Sequence, residues 1–130
     1  MFSEWLDTWK DEIEAVQLFT KSELPKTAGE IQRDVNRTTS EYARVPELLA
    51  DVEGFIISSR AAETLSVRRE CPDLAAAERK AIVEAKLAPM IRVRDMLKAT
   101  VRALHQRSFA LMSQRAYERE AIRFGGNHEG

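Results

Sequence analysis

Apolar residues return every three or four positions along most of this chain, and that rhythm admits little besides long helices packed side by side. Ile31, Val35, Thr38, Tyr42, Val45, Leu49, Val52 and Ile56 alternate spacings of four and three, the heptad pattern that keeps one stripe of a helix facing a partner. Val83, Leu87, Met90, Leu97, Val101, Leu104 and Leu111 hold the same phase, interrupted by Arg94 and Ser108. Near the start, Phe2, Trp5, Leu6, Trp9, Ile13, Val16 and Phe19 recur at helical spacing. Only five glycines and four prolines occur in 130 residues, too few breakers for a fold built on many tight turns. The expected class is all-α.

Punctuation residues set the helix bounds. The first helix is expected over about 3–22, ending before Leu24-Pro25 because a residue preceding proline is pushed out of the helical region. Thr27-x-x-Glu30 is a capping box that opens the second helix near residue 28, each side chain satisfying an orphan backbone donor. Pro46 removes one backbone bond at a cost of about 3 kcal/mol. The apolar phase nevertheless runs through it, which predicts a kinked but continuous helix to about residue 70. Pro72 bars continuation and Asp73 is suited to cap the third helix, expected over about 74–124 with another kink at Pro89. Gly125-Gly126 is the expected stop, with a polar tail at 127–130.

These elements describe one domain, residues 1–126: a short N-terminal helix and two long, Pro-kinked helices in an antiparallel hairpin. At about 1.5 Å per residue the long helices would extend roughly 60 to 75 Å, against a radius of gyration of about 14 Å for a compact chain of this length. Two paired rods bury a single seam. Apolar surface is therefore expected to remain for other subunits, with Leu97, Val101, Leu104 and Leu111 as candidate oligomer contacts.

Charge is sorted along the chain. Met1 to Ala85 hold 11 Lys/Arg against 17 Asp/Glu, whereas Lys86 to Phe124 hold 9 against 3, so a formal net charge of −1 hides an acidic body joined to a basic helix. Such a helix is built to meet something negative: nucleic acid, a membrane, or the acidic half of a neighbouring copy. No apolar run approaches a membrane span, and the acidic start (Glu4, Asp7, Asp11) is unlike a signal peptide, so a cytoplasmic setting is expected.

Catalytic chemistry finds little footing, and no enzyme, cofactor or metal is expected. His105 and His128 lack acidic or cysteine neighbours at metal-ligand spacing, and Cys71 is the sole cysteine, so neither a thiolate cluster nor an internal disulfide is available. No glycine-rich phosphate loop occurs. Met90, Met96 and Met112 read as packing residues. Trp5 and Trp9 could stack on bases or anchor a protein, but their alignment with Ile13 and Val16 favours the apolar face of their own helix.

The candidate binding residues are basic. Arg94, Lys98 and Arg102 form one i, i+4 row, and Arg115, Arg119 and Arg123 another; Arg60, Arg68 and Arg69 form a smaller group near the turn. Such rows can neutralise successive phosphates and bind single-stranded DNA without sequence preference. The competing view is a solvated face, or salt bridges to carboxylates of the acidic second helix.

Two local patterns resemble a known family. Leu24-Pro25-Lys26 is similar to an apolar-Pro-basic junction, and Gln106-Arg107-Ser108-Phe109-Ala110-Leu111 to a late-helix pattern, of the UvsY-type phage recombination mediators. The chain departs from that family at Val67-Arg68-Arg69-Glu70 and at Arg115-Ala116-Tyr117-Glu118. The resemblance implies a non-enzymatic, ring-like homo-oligomer, acting in a bacterial host cell, that binds single-stranded DNA and helps a recombinase displace single-strand-binding protein. It also implies a DNA-contacting role for Arg60, Arg68 and Arg69, and a part in assembly or local packing for Arg107 and Phe109. The alternative expectation is a helical protein-interaction module, such as a phage-encoded inhibitor, chaperone or assembly adaptor, whose apolar seam and tryptophans supply the contacts. Membrane-surface attachment is disfavoured because the basic helix lacks large apolar residues beside its cations.

Overall fold

The computed structural model describes the backbone of residues 1–128 and the side chains of residues 1–123. Its three helices are α1 (Phe2–Lys21), α2 (Ala28–Glu70) and α3 (Ala76–His128). At α1's end the Ser22 amide and hydroxyl both donate to the Phe19 carbonyl, at 3.2 and 2.6 Å, closing the last turn before the chain leaves in extended conformation. Thr27 caps α2 by accepting from the Glu30 amide at 3.3 Å.

Two boundaries differ from expectation. Asp73 does not cap α3; it lies within a turn in which the Leu74 amide donates to the Cys71 carbonyl at 3.3 Å, and α3 begins only at Ala76. Pro72, with its fixed φ, occupies the second position of that turn, which such a ring suits. At the other end α3 runs through Gly125-Gly126 to His128. Glycine permits a left-handed stop without compelling one, and costs only about 1 kcal/mol in a helix interior. Of the expected polar tail, residues 129–130 lie outside the described residues.

Both internal prolines sit within unbroken helices. Pro46 would orphan the carbonyl of Tyr42 and Pro89 that of Ala85. Tyr42 and Ala85 are exposed, so water can take the place of the missing donor while the buried stripe continues past each ring.

Paired side chains fix how α2 and α3 run. Asp34 meets Arg107, Tyr42 meets His105, Arg60 meets Glu84 and Glu63 meets Lys86. Residues early in α2 meet residues late in α3, and residues late in α2 meet residues early in α3.

Burial falls on most of the positions the apolar pattern suggested and moves to a neighbouring residue at some of the alternate ones. In α2, Ile31, Thr38, Val45, Val52 and Ile56 are buried as expected, but Leu48 is buried in place of Leu49, which is half-buried, and Tyr42 is exposed. In α3, Val83, Leu87, Leu97, Leu104 and Leu111 are buried as expected, joined by Val93, Thr100 and Arg107. Arg94 and Ser108 therefore do not interrupt the seam. They flank it, and Val93, Thr100 and Arg107 occupy it instead.

Helix α1 explains the shift. Its Ile13, Val16 and Phe19 join Val45, Leu48, Val52, Val93, Leu97 and Leu104 in one core. Trp5 Nε1 donates to Asp51 at 3.1 Å and Glu12 pairs with Arg44. Arg37, whose guanidinium carbon lies 4.3 Å from the Phe19 ring centroid, Arg44 and Asp51, spaced by seven, thus mark the α2 flank that α1 meets. Tyr42, exposed, with the half-buried Val35 and Leu49 seven residues to either side, marks the opposite flank. Trp5 and Trp9 are half-buried in this arrangement, Trp5 beside Phe2 and Phe55 and Trp9 beneath Arg44. A smaller core of Val67, Val83 and Leu87 closes the pair near the turn.

Candidate nucleic-acid interface

The nine basic candidates separate into distinct groups. Arg60 is held by Glu84 through two hydrogen bonds of 2.9 and 3.2 Å. Arg94 contacts its own neighbour Asp95 at 3.1 Å. The other seven make no ion pair among the described residues, where the cross-helix pairs instead consume Arg44, Arg60, Lys86 and Arg107. Glu63, hydrogen-bonded to Lys86 Nζ at 3.1 Å, raises that ammonium's pKa above its ordinary 10.5, with Coulombic attraction to the same carboxylate adding to the effect.

Lys98 and Arg102 are exposed on the side of α3 turned away from the seam. One turn beyond Arg102, the His105 ring packs between Tyr42, at 6.0 Å between centroids, and Phe109, at 4.9 Å and edge-to-face. Phe109 is 56% exposed and Tyr42 42%. Lys98 and Arg102 thus stand two turns and one turn before His105 of a partly exposed three-ring cluster. Such a combination can hold a flexible polyanion whose units carry stackable rings. The signal for Tyr42 was its place in the apolar repeat, but a surface role became visible only once the seam was located.

Arg115 and Arg119 line a recess with Ile31, Gln32 and Ile122, at the end of the helix pair where α2 begins. Arg123 is exposed one turn further along α3.

At the opposite end, α2 and α3 enclose a cleft of about 730 Å³ that brings Arg60 and Arg68 together with Arg79 and Lys80. Arg79 and Lys80 escaped the sequence reading because they lie in the acidic part of the chain and form no i, i+4 row. Arg69 is not part of this cleft. One residue along the helix from Arg68, it points to a separate surface beside Leu65 and Glu70.

The candidate oligomer residues are mostly spent within the subunit. Leu97, Leu104 and Leu111 are 0–1% exposed, so they hold this chain's own helices together. Val101 is half-buried and packs against the same core. Arg107 is buried too. Its Nε and Nη2 donate to both Asp34 oxygens at 2.8 and 2.6 Å, Nη1 to the Ser22 carbonyl at 2.8 Å, and Nη2 also to the Glu23 carbonyl at 3.3 Å. Its guanidinium carbon lies 4.5 Å from the Phe19 ring centroid. Arg107 therefore ties the end of α1 to both long helices, with Gln114 hydrogen-bonded to the Pro25 carbonyl beside it. Only Phe109 of this set is exposed. Met112, expected to pack, is 57% exposed near it.

Among the described residues, no three of His, Cys, Asp and Glu stand together as metal ligands, and no helix is long and apolar enough to cross a membrane. No protein-family model, curated protein or solved structure matches the chain.

Proposed function

We propose that the protein is a non-enzymatic accessory factor that binds single-stranded DNA along the open flank of an antiparallel α2–α3 hairpin and works as a homo-oligomer. One observation carries this reading: Lys98 and Arg102 are exposed, free of ion pairs among the described residues, and adjacent to the Tyr42–His105–Phe109 cluster. Phosphates meet the cations, and bases stack on the rings at about 1–3 kcal/mol each. The resemblance of the Leu24-Pro25-Lys26 junction and the Gln106–Leu111 segment to UvsY-type mediators supports the same reading, with a recombinase and single-strand-binding protein as further partners.

Self-association is supported by surface area. The chain exposes 9074 Å², whereas a compact monomer of 14.8 kDa would expose about 7000 Å². Repeating one basic flank around a symmetric assembly raises avidity that a subunit of net charge −1 lacks. Anisotropy of a labelled oligothymidylate across a salt series tests the proposal: binding that weakens steeply with salt supports it, and no binding at low salt rejects it.

A second reading has its own observation. Ile57, Leu65, Phe109 and Met112 are all more than half exposed, which suits a helical module that docks on another protein, in the manner of an inhibitor, chaperone or assembly adaptor. It predicts that Phe109→Ala with Met112→Ala abolishes protein association, whereas the favoured reading predicts that Lys98→Ala with Arg102→Ala weakens DNA binding with the oligomer intact.

A further inference from the structure

We infer that the cleft between the end of α2 and the start of α3 is a binding site for a terminal phosphate or diphosphate group. Four cations face it, Arg60, Arg68, Arg79 and Lys80, against one carboxylate, Glu84, which is already engaged by Arg60. That leaves three positive charges uncompensated around about 730 Å³. A phosphodiester brings one negative charge. A terminal phosphate brings about −1.5 to −2 at neutral pH and a diphosphate more, so the latter match the site.

Dipole arguments separate the cations. Arg68 sits at the carboxyl end of α2, where a positive side chain complements the helix dipole and needs no ligand. Arg79 and Lys80 sit near the amino end of α3, where their charge adds to the partial positive charge of unsatisfied backbone amides. These two cations and Arg68 across the cleft sum to a positive local potential, only partly offset by Glu78 in the first turn of α3, and an anion between them would be held by all three. The fixed Arg60–Glu84 fork sets one edge of the opening, and the methyl-bearing Thr64, Ala76 and Val83 supply an apolar wall against which a sugar could rest.

The ligand chemistry has two sources, the 5′-phosphorylated end of a nucleic-acid strand and a free nucleotide or polyphosphate. Titration calorimetry of the full chain with inorganic pyrophosphate at low salt tests the site itself. Binding should weaken by about tenfold or more in Arg79→Ala/Lys80→Ala, which removes two charge-assisted contacts, and stay unchanged in Lys98→Ala/Arg102→Ala. Absence of pyrophosphate binding, or binding indifferent to Arg79→Ala/Lys80→Ala, overturns the inference. Oligothymidylate with a 5′-phosphate is then compared with the 5′-hydroxyl form. A preference for the phosphate that vanishes in Arg79→Ala/Lys80→Ala supports the site with a strand end as its ligand. Equal binding of the two forms, with pyrophosphate binding retained, supports it with a free nucleotide as ligand. The site does not depend on the strand reading: pyrophosphate binding without any binding of 5′-hydroxyl oligothymidylate keeps the cleft and removes the strand proposal.

Discussion

At one end of the α2–α3 pair, Arg107 grips Asp34 with side chains only 4% and 11% exposed; at the other, Arg60 grips Glu84 with side chains 43% and 39% exposed. The chemistry is the same and the surroundings are opposite. Arg107 is enclosed beside α1, and two further donors are taken by the Ser22 and Glu23 carbonyls. Arg60 faces water beside three cations that have no carboxylate of their own among the described residues. Burial makes the first pair a structural pin, whereas exposure leaves the second a weak bond at the edge of the cleft. The same rule sorts the rest of the basic residues: those that α1 or the seam encloses hold the fold, and those on the open flank remain free to bind.

The largest effect should come from breaking the buried pair. Arg107→Ala leaves Asp34 as an uncompensated buried charge and should destabilise the chain by about 3–5 kcal/mol, read as a fall in the urea midpoint. A loss under about 1 kcal/mol would end the distinction between the two ends. Leu104→Ala removes a side chain with 0% exposure and should cost about 2–5 kcal/mol by the same measurement. Arg60→Ala should cost about 1 kcal/mol or less. The smallest effect belongs to pH. Because Glu63 raises the Lys86 pKa above 10.5, the stabilisation is complete below that unfolded value and is lost only as pH climbs through the folded one. Lys86→Met should therefore leave the pH dependence of stability unchanged through neutral pH and flatten it only at the alkaline limit.

The apolar repeat gave the helices within a few residues of their ends, because stripes, caps and prolines act locally. It placed most of the seam and missed some of the alternate positions by one residue, because it counted apolar residues alone. The family resemblance gives Arg107 a part in assembly or local packing, and Asp34 and Thr100 have no place in an apolar repeat. Arg107 and Asp34 enter or border the seam because they satisfy each other across 73 positions of sequence, a relation invisible on either helix by itself. The same error sent Leu97, Leu104 and Leu111 to an oligomer interface when α1 and α2 already cover them. Half of the tip cleft was legible as Arg60 and Arg68. Arg79 and Lys80 were not, since only the turn at Cys71–Ala75 brings the start of α3 against the end of α2.

The most direct test of the division between enclosed and open cations is the salt dependence of oligothymidylate binding, measured by anisotropy for the wild type and for Lys98→Ala/Arg102→Ala. If both side chains neutralise phosphates, the variant should keep its stability and its assembly while binding more weakly. Its slope of log affinity against log salt should be shallower by about 1.4, from two lost contacts on a single strand. A variant whose affinity and slope equal those of the wild type would contradict the assignment of that flank to nucleic acid.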